Sequence, residues 1–444
     1  MRCLVTGAYG FIGSAVVAAL RREGLTVIGA GRDLELGRRL VPDIEWIACN
    51  FNKDIEVAHW MPRLKDIDAV VNCVGILQGS LRDDASRIHG EATIALFAAC
   101  AAASIKRLVH VSAVSAEADV ASSYASSKAK ADAALKTLDV NWLIVKPSLV
   151  IGRGSYGGTS LMRGLAGLPC VLPLPGAGKE RFQPIALEDL ASGLAALAAK
   201  DAPARTTLYA AGPETLSIRD ILVAYRAWLG FGEARELAVP LPLLRFLLGL
   251  GDVAGWLGHA SPARTTSLTQ MRYDTLVDGA SFARACSGGV KGFRETLQAS
   301  PSTLQDRLHA RSVFAVPLLQ ITLAAFWILT GVLTLMPESF AGAVALVANA
   351  GLDAGFAKAL VAIASIADIM AGAAFLLPGW VRRAGLAQLV LSAIYLVGLS
   401  LLSPALWTEH FGPLLKVVPM MAATAVVMAF QKAWISISRS NSCM

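Results

Sequence analysis

Thr6-Gly7-Ala8-Tyr9-Gly10-Phe11-Ile12-Gly13 is the stretch that decides the fold. It follows a short apolar run, Arg2–Thr6, and leads into an alanine-rich helical pattern, Phe11–Arg22. In a strand–turn–helix setting each glycine has a separate purpose. Gly7 permits the tight turn, Gly10 lets a diphosphate approach the backbone, and Gly13 lets helix and strand pack closely. The helix N-terminus adds unpaired N–H groups and partial positive charge. Three spaced glycines alone are weak evidence; their position between strand and helix makes them specific.

Outward from that loop, apolar β-branched runs alternate with helical patterns. Strands are expected at Thr26–Ala30, Ile44–Cys49, Ala69–Val74, Arg107–Ser112 and Trp142–Lys146, and helices at Glu91–Ala103 and Ser122–Leu138. Interleaved strands and helices predict βαβ units and a parallel sheet. Residues 151–300 are less regular, with Gly/Pro-rich breaks, and read as a smaller substrate lobe over the sheet's ligand edge. Within it, Leu241–Leu257 is apolar apart from Arg245 and Asp252. That segment fits a membrane-surface helix, a lid or a packed helix.

Composition divides the chain. Of 444 residues, 55% are hydrophobic and 16% charged, and the mean hydropathy is +0.55. That charged share is well under the ~25% of a soluble domain, and the hydropathy excludes a mostly disordered chain. Residues 313–444 hold six Lys/Arg and four Asp/Glu; the 312 before them hold the other 63 charges. Four apolar segments, about 313–336, 357–377, 384–402 and 414–430, approach the ~20 residues that a bilayer core requires. Arg307, Arg311, Arg382, Arg383, Lys432 and Arg439 lie at alternate ends of these segments, which puts both termini and the first 312 residues in the cytoplasm at the inner membrane. No leader is expected, because the first apolar run passes directly into the glycine turn. Much of the net charge of +7 lies near these membrane edges and none forms a basic tract, so no nucleic-acid partner is expected. Seven scattered cysteines, with no CxxC, indicate reduced thiols and no metal site.

After the second strand comes Gly31-Arg32-Asp33. An acidic residue there binds the ribose 2′-OH of NAD, and an arginine holds the 2′-phosphate of NADP. Arg32 favours NADP; Asp33 keeps NAD open. Further on, Tyr124-Ala125-Ser126-Ser127-Lys128 begins a helix, which places Tyr124 and Lys128 one turn apart. A nearby ammonium lowers a phenol's pKa and suits the tyrosine to proton exchange. Ser112, at a strand end, is placed to hydrogen-bond a substrate oxygen.

With these residues in view, 1–300 resembles the extended and atypical branch of the short-chain dehydrogenase/reductase superfamily. The resemblance rests on TGAYGFIG, Asn72-Cys73-Val74-Gly75, HVSAVSA at 110–116, Tyr124 with Lys128, KPSLVIGRG at 146–154, and Phe182-Gln183-Pro184-Ile185 followed by Glu188-Asp189-Leu190-Ala191. It is most similar to epimerase-like nucleotide-binding proteins, a branch related to the NADPH-binding accessory subunit of respiratory complex I. The resemblance implies a Rossmann-like doubly wound sheet with Gly7, Tyr9, Gly10, Phe11, Ile12 and Gly13 around the pyrophosphate and Arg32 at the adenosine ribose. It puts Asn50 near adenine, where the family usually has Asp, and Val74 and Gly75 along the cofactor. Tyr124 becomes the acid/base, Lys128 the nicotinamide-ribose contact, Ser112 the substrate-orienting hydroxyl, and Pro147 and Ser148 neighbours of the nicotinamide. Lys146 replaces a usual arginine.

Residues 313–435 resemble the DoxX-like four-helix membrane family through Phe326-Trp327-Ile328-Leu329-Thr330-Gly331 and the Leu406–Lys416 stretch. The whole reads as an α/β domain followed by an all-α transmembrane bundle. Asp368 falls mid-span, where an unpaired charge costs at least ~2.5–3.5 kcal/mol, so a partner or cavity is expected beside it. Gln320 and Gln388 read as interhelical hydrogen-bonding groups, and His410 as a lone loop histidine. Three functions follow. One is a membrane-anchored NAD(P)-dependent oxidoreductase or epimerase acting on a lipophilic small molecule. Another is a non-catalytic nucleotide-binding subunit of a membrane redox complex. The weakest is a transporter, since no inverted repeat is visible.

Overall fold

The computed structural model describes residues 1–76, 84–117, 122–154, 157–199, 203–256, 263–271, 275–286, 288–349, 351–409 and 412–441; for 256, 271 and 431–441 it describes the backbone alone. The chain divides into two compact units, Met1–Arg311 and Ser312–Ile437.

The first unit is built on seven strands: β1 (Arg2–Thr6), β2 (Thr26–Gly31), β3 (Glu45–Ala48), β4 (Ala69–Asn72), β5 (Arg107–Val111), β6 (Trp142–Pro147) and β7 (Thr206–Ala210). Their spatial order is β7-β6-β5-β4-β1-β2-β3, and every pairing is parallel. β1, β4, β5 and β6 carry apolar residues on both faces because helices cover both. Cys3 and Val5 point into one core with Val16, Val17, Leu190 and Leu194. Leu4 and Val70 point into the other with Leu96, Phe97 and Leu135. That alternation is the period of two that a strand imposes. The order reverses between β1 and β4, and ligands of open α/β sheets bind beyond the strand C-termini at such a reversal.

The lobe beyond β6 is stapled by Arg163, whose side chain is buried. Its guanidinium lies over the rings of Tyr225 and Trp228, 5.5 and 4.9 Å from their centroids. It donates to the backbone oxygens of Arg153 and Gly152 and pairs with Asp306 at 3.2 Å. Ser160 Oγ and His309 Nε2 meet at 3.0 Å close by. Asp306 and His309 belong to the helix Leu304–Thr334, so the change of unit falls inside one continuous helix.

In the second unit, three helices are long and apolar enough to cross a membrane: Leu304–Thr334, Ala354–Phe375 and Val381–Leu402. A helix also occupies the expected fourth segment. It runs Val417–Asn441, and its described apolar part is Val417–Phe430. A further apolar helix, Pro337–Ala348, lies between the first two long ones. Its 12 residues are too few to span, and Pro337 fits its first turn, where no N–H partner is lost. Asp368 is buried and has the partner expected of it, since Tyr395 donates to its carboxylate at 2.7 Å. Gln320 and Gln388 donate across helices to the backbone oxygens of Phe375 and Ala371. His410 lies outside the described residues.

Candidate functional site: the edge of the sheet between β1 and β4

Gly7 has φ +69°, a left-handed conformation that only glycine adopts without cost. A Cβ on Gly13 would stand 2.1 Å from the Gly7 carbonyl oxygen, so the helix Phe11–Arg22 meets the turn at a separation that only glycine permits. Gly10 is the N-cap of that helix, with no side-chain cap and no acidic residue in the first turn. This is a cradle suited to a diphosphate. Gly13→Ala should weaken nucleotide binding and lower stability by about 1–3 kcal/mol, since backbone rather than a movable side chain must shift. Thermal unfolding with and without NADPH checks both effects.

Tyr9 is buried. Its ring packs over Gly31, where a Cβ would lie 2.3 Å away, and against Trp46 with centroids 5.6 Å apart. Its hydroxyl accepts from the Asp33 N–H at 3.2 Å. Asp33 in turn caps the helix Leu34–Leu40, its carboxylate accepting from the Leu36 N–H at 2.9 Å. Arg32 stands at the tip of β2, partly exposed. Asn50 forms a tight turn after β3, its side-chain oxygen accepting from the Asn52 N–H at 3.0 Å. Its own N–H donates to Asp54 at 2.6 Å.

At the C-terminal ends of the strands a buried polar row crosses the sheet. Thr6 Oγ1 donates to Asn72 Oδ1 at 2.7 Å, and the Val74 N–H donates to the same oxygen at 3.2 Å. Asn72 Nδ2 therefore donates to His110 Nδ1, 3.2 Å away. The hydrogen-bond pattern assigns the His110 proton to Nε2, which faces Asp132 Oδ1 at 3.6 Å. Asp132 also accepts from Ser112 Oγ at 2.8 Å and pairs with Lys146 at 2.9 Å. Lys146 reaches on to Glu117 at 3.0 Å, and the Tyr209 hydroxyl donates to that same carboxylate.

Tyr124, Lys128 and Asp132 lie on the helix Ser123–Lys136, four residues apart and so on one face. Lys128 is buried, and its ammonium donates to the Val111 carbonyl at 2.8 Å. A Cβ on Gly75 would come within 3.3 Å of Lys128 Nζ, so the loop after β4 lies directly against it. Burial brings the Lys128 ammonium down to about 8, with Asp132 opposing. Tyr124 departs from the expected behaviour: burial first, and then the charge of Asp132, pushes its phenol up to about 12. The ammonium that the spacing assigned to Tyr124 is spent on Val111. Pro147 ends β6 opposite Ala210. Ser148 donates its N–H to the Ala210 carbonyl at 2.9 Å, and its hydroxyl meets Thr275 Oγ1 at 3.1 Å.

One further residue escaped the sequence reading. His89 Nε2 accepts from the Ile76 N–H at 2.9 Å, which leaves its proton on Nδ1 for Ser127 Oγ at 3.1 Å. Its ring meets that of Tyr124 edge-on, centroids 5.3 Å apart. It thus ties the loop after β4 to the Tyr124 helix. Burial first, then Lys128, holds both His89 and His110 neutral, well below the usual imidazole range. An unfolded chain protonates these rings below about pH 6.5 and the folded chain does not. Stability should therefore be full above that pH and fall as acid is added, by up to about 1.4 kcal/mol per pH unit for each ring. Thermal unfolding in detergent, compared between neutral pH and about pH 5, measures the loss; equal melting temperatures would contradict neutral burial.

Among the described residues, no three His, Cys, Asp or Glu side chains gather as metal ligands. Cys3, Cys49, Cys73, Cys100 and Cys286 are buried thiols outside any disulfide, and Cys170 is an exposed one.

Residues 3–212 match the NAD dependent epimerase/dehydratase family, and residues 324–425 match the DoxX-like family. The mitochondrial NADH-ubiquinone oxidoreductase 40 kDa subunit of Neurospora crassa is 24% identical over 260 residues, 57% of this chain and 66% of that protein. The chain thus spans under two thirds of that relative's length. Among solved structures, dTDP-glucose 4,6-dehydratase from Bacillus anthracis in complex with NAD superposes with a TM-score of 0.51 and 18% identity, covering 72% of this chain and 99% of that one. UDP-glucuronic acid 4-epimerase from Bacillus cereus, with UDP-glucuronic acid and NAD, gives 0.45 at 19% identity over 67% of this chain and 99% of that one. At such identities the dehydratase likeness is one of fold, and it agrees with the parallel sheet and its β1/β4 reversal. Residues 3–212 therefore form a domain of the NAD-dependent epimerase/dehydratase family, carried on the same chain as a DoxX-like membrane domain.

Proposed function

We propose that this chain is a membrane-anchored oxidoreductase or epimerase of the short-chain dehydrogenase/reductase type that prefers NADP and works at a carbonyl or hydroxyl group. The observation that carries this reading is the meeting of two features at one sheet edge: the glycine cradle of Gly7, Gly10 and Gly13, and Ser112, Tyr124 and Lys128 beyond β5. Gly7, Gly10 and Gly13 with Phe11 and Ile12 would hold the pyrophosphate, and Val74, Gly75, Pro147 and Ser148 would line the nicotinamide half. A nicotinamide bound there supplies or accepts hydride.

The protein's own groups divide the remaining work. Tyr124 keeps its proton at neutral pH, so it is placed to act as the donor to a carbonyl oxygen. Ser112 donates its hydroxyl hydrogen bond to Asp132, so its oxygen is left to accept from a substrate hydroxyl. Arg32 supports the NADP preference, and Asp33 weakens the NAD alternative because its carboxylate is already a helix cap. Positive-inside placement of Arg307, Arg311, Arg382 and Arg383 supports a cytoplasmic nucleotide domain, with both termini on that side if Val417–Asn441 crosses as well.

Titration of the detergent-solubilised chain with NADPH and NADH, followed by nucleotide fluorescence, tests the reading. NADPH should bind at least about tenfold more tightly, a difference of about 1.4 kcal/mol. Equal affinities would remove the role of Arg32, and failure of both nucleotides to bind would overturn the assignment of the site.

A second reading has its own support. The elevated Tyr124 phenol, the Lys128 ammonium held by Val111 and the likeness to a respiratory-complex subunit all suit a nucleotide-binding subunit without turnover. Tight nucleotide binding, co-purification with membrane redox proteins and no turnover would favour it.

A further inference from the structure

The helix Leu241–Trp256 presents to the outside what helices ordinarily turn inward. Leu243, Phe246, Leu247, Leu250 and Val253 are 50%, 65%, 50%, 56% and 58% exposed. Their spacing, i, i+3, i+4, i+7 and i+10, puts them on one face as a continuous strip. No charged residue lies within it; exposed Arg245 is turned about 100° from Phe246. The opposite side is the packed one. Leu248 is buried, and Asp252 pairs with Arg264 at 3.1 Å and accepts from the Thr265 hydroxyl. A Cβ on Gly251 would lie 1.9 Å from the Ala263 carbonyl oxygen, so the fit there is close. The strip is therefore held outward by a well-made inner face.

An uncovered apolar strip of this kind marks an interaction surface. Its occupant follows from the rest of the chain. The same polypeptide carries three helices able to cross a bilayer, so this unit works beside lipid. Leucine and phenylalanine on one side with arginine beside them is the composition that settles at the boundary of headgroups and acyl chains. We propose that the helix Leu241–Trp256 lies in the interfacial layer of the bilayer, with Leu243, Phe246, Leu247, Leu250 and Val253 inserted. The helix is also tied to the site. Asp252 holds the start of the helix Thr265–Met271, and Gln270 on that helix donates at 2.9 Å to Ser122 Oγ, the N-cap of the Tyr124 helix. On the hydride-transfer reading, on which this part rests, the substrate is a carbonyl or alcohol dissolved in the membrane.

The test uses the full chain in nanodiscs of phosphatidylcholine and phosphatidylglycerol. Cys170→Ser and Cys443→Ser remove competing thiols, and Phe246→Cys carries a nitrobenzoxadiazole label. The label should be quenched by lipid bearing a headgroup-region spin label and shielded from iodide, while the same label at Glu233→Cys, an exposed polar position, should behave in the opposite way. Iodide quenching at 246 equal to that at 233 would overturn the proposal. So would shielding from both quenchers, which would mean that a protein surface or a second copy covers the strip. A second variant, Phe246→Glu with Leu250→Glu, should keep NADPH binding and lose turnover of a long-chain ketone in vesicles while retaining that of a water-soluble short ketone. Equal loss on both ketones would refute the membrane-substrate part. Absence of turnover in the unsubstituted chain would count against hydride transfer and leave the depth measurement to decide the membrane contact.

Discussion

Tyr124→Phe should reduce turnover by ~10²–10⁴-fold, the usual contribution of a positioned proton donor, and leave NADPH affinity unchanged. The substitution isolates one atom. The Tyr124 ring meets His89 edge-on, and phenylalanine keeps that contact. The helix is fixed independently by the Ser122 cap on the Ala125 N–H at 3.1 Å and by Lys128 on Val111. A loss of turnover therefore reports the hydroxyl and not a displaced helix. Steady-state rates for carbonyl reduction, set beside an NADPH titration, separate the two quantities. Unchanged turnover would remove Tyr124 from the chemistry.

Asp132→Ala should destabilise the first unit by about 3–5 kcal/mol, the cost of breaking a buried ion pair from one side. The carboxylate pairs with Lys146 at 2.9 Å, accepts from Ser112 at 2.8 Å and lies 3.6 Å from His110 Nε2. Without it, Lys146 is left with Glu117, whose side chain is 42% exposed and whose pull water screens. Combining Asp132→Leu with Lys146→Met should recover much of the loss, because neither charge is then stranded. Denaturant unfolding of the single and double variants measures the recovery. A single-variant loss below about 1 kcal/mol would show that the pair is dispensable.

The first strand, its glycine turn and its helix were readable because the left-handed φ of Gly7 and the Cβ clash that Gly13 avoids both arise within the turn itself. The parallel sheet was readable because Leu4, Val70, Leu108 and Ile144 sit in runs apolar on both faces. Asp132 was within reach of the same reasoning, four residues after Lys128, but its burial depends on β5 and β6 lying beneath it. His89 gave no local signal; its two partners come from the loop after β4 and the Tyr124 helix. Tyr124 and Lys128 were legible as a pair, but not the competition for the ammonium, since the Val111 carbonyl approaches only in the folded sheet. In the membrane unit, the apolar segments and the end of the last one at residue 430 were legible from composition, but the short helix Pro337–Ala348 was not, because its 12 residues fall below the length that marks a crossing.

The helix Leu304–Thr334 has a consequence for anyone who would divide this protein. Composition invites a cut near residue 312, yet the first turns of that helix supply Asp306 and His309 to Arg163 and Ser160. A water-soluble fragment ending before Leu304 would strand the Arg163 guanidinium between Tyr225 and Trp228 without its carboxylate. One ending at Arg311 would keep that carboxylate but on a helix severed after its first two turns, whose last carbonyls lose their partners further along. The anchor is thus not a detachable tail: its first two turns are part of the enzyme-like half, and domain exchange in the laboratory or in evolution has to carry them along.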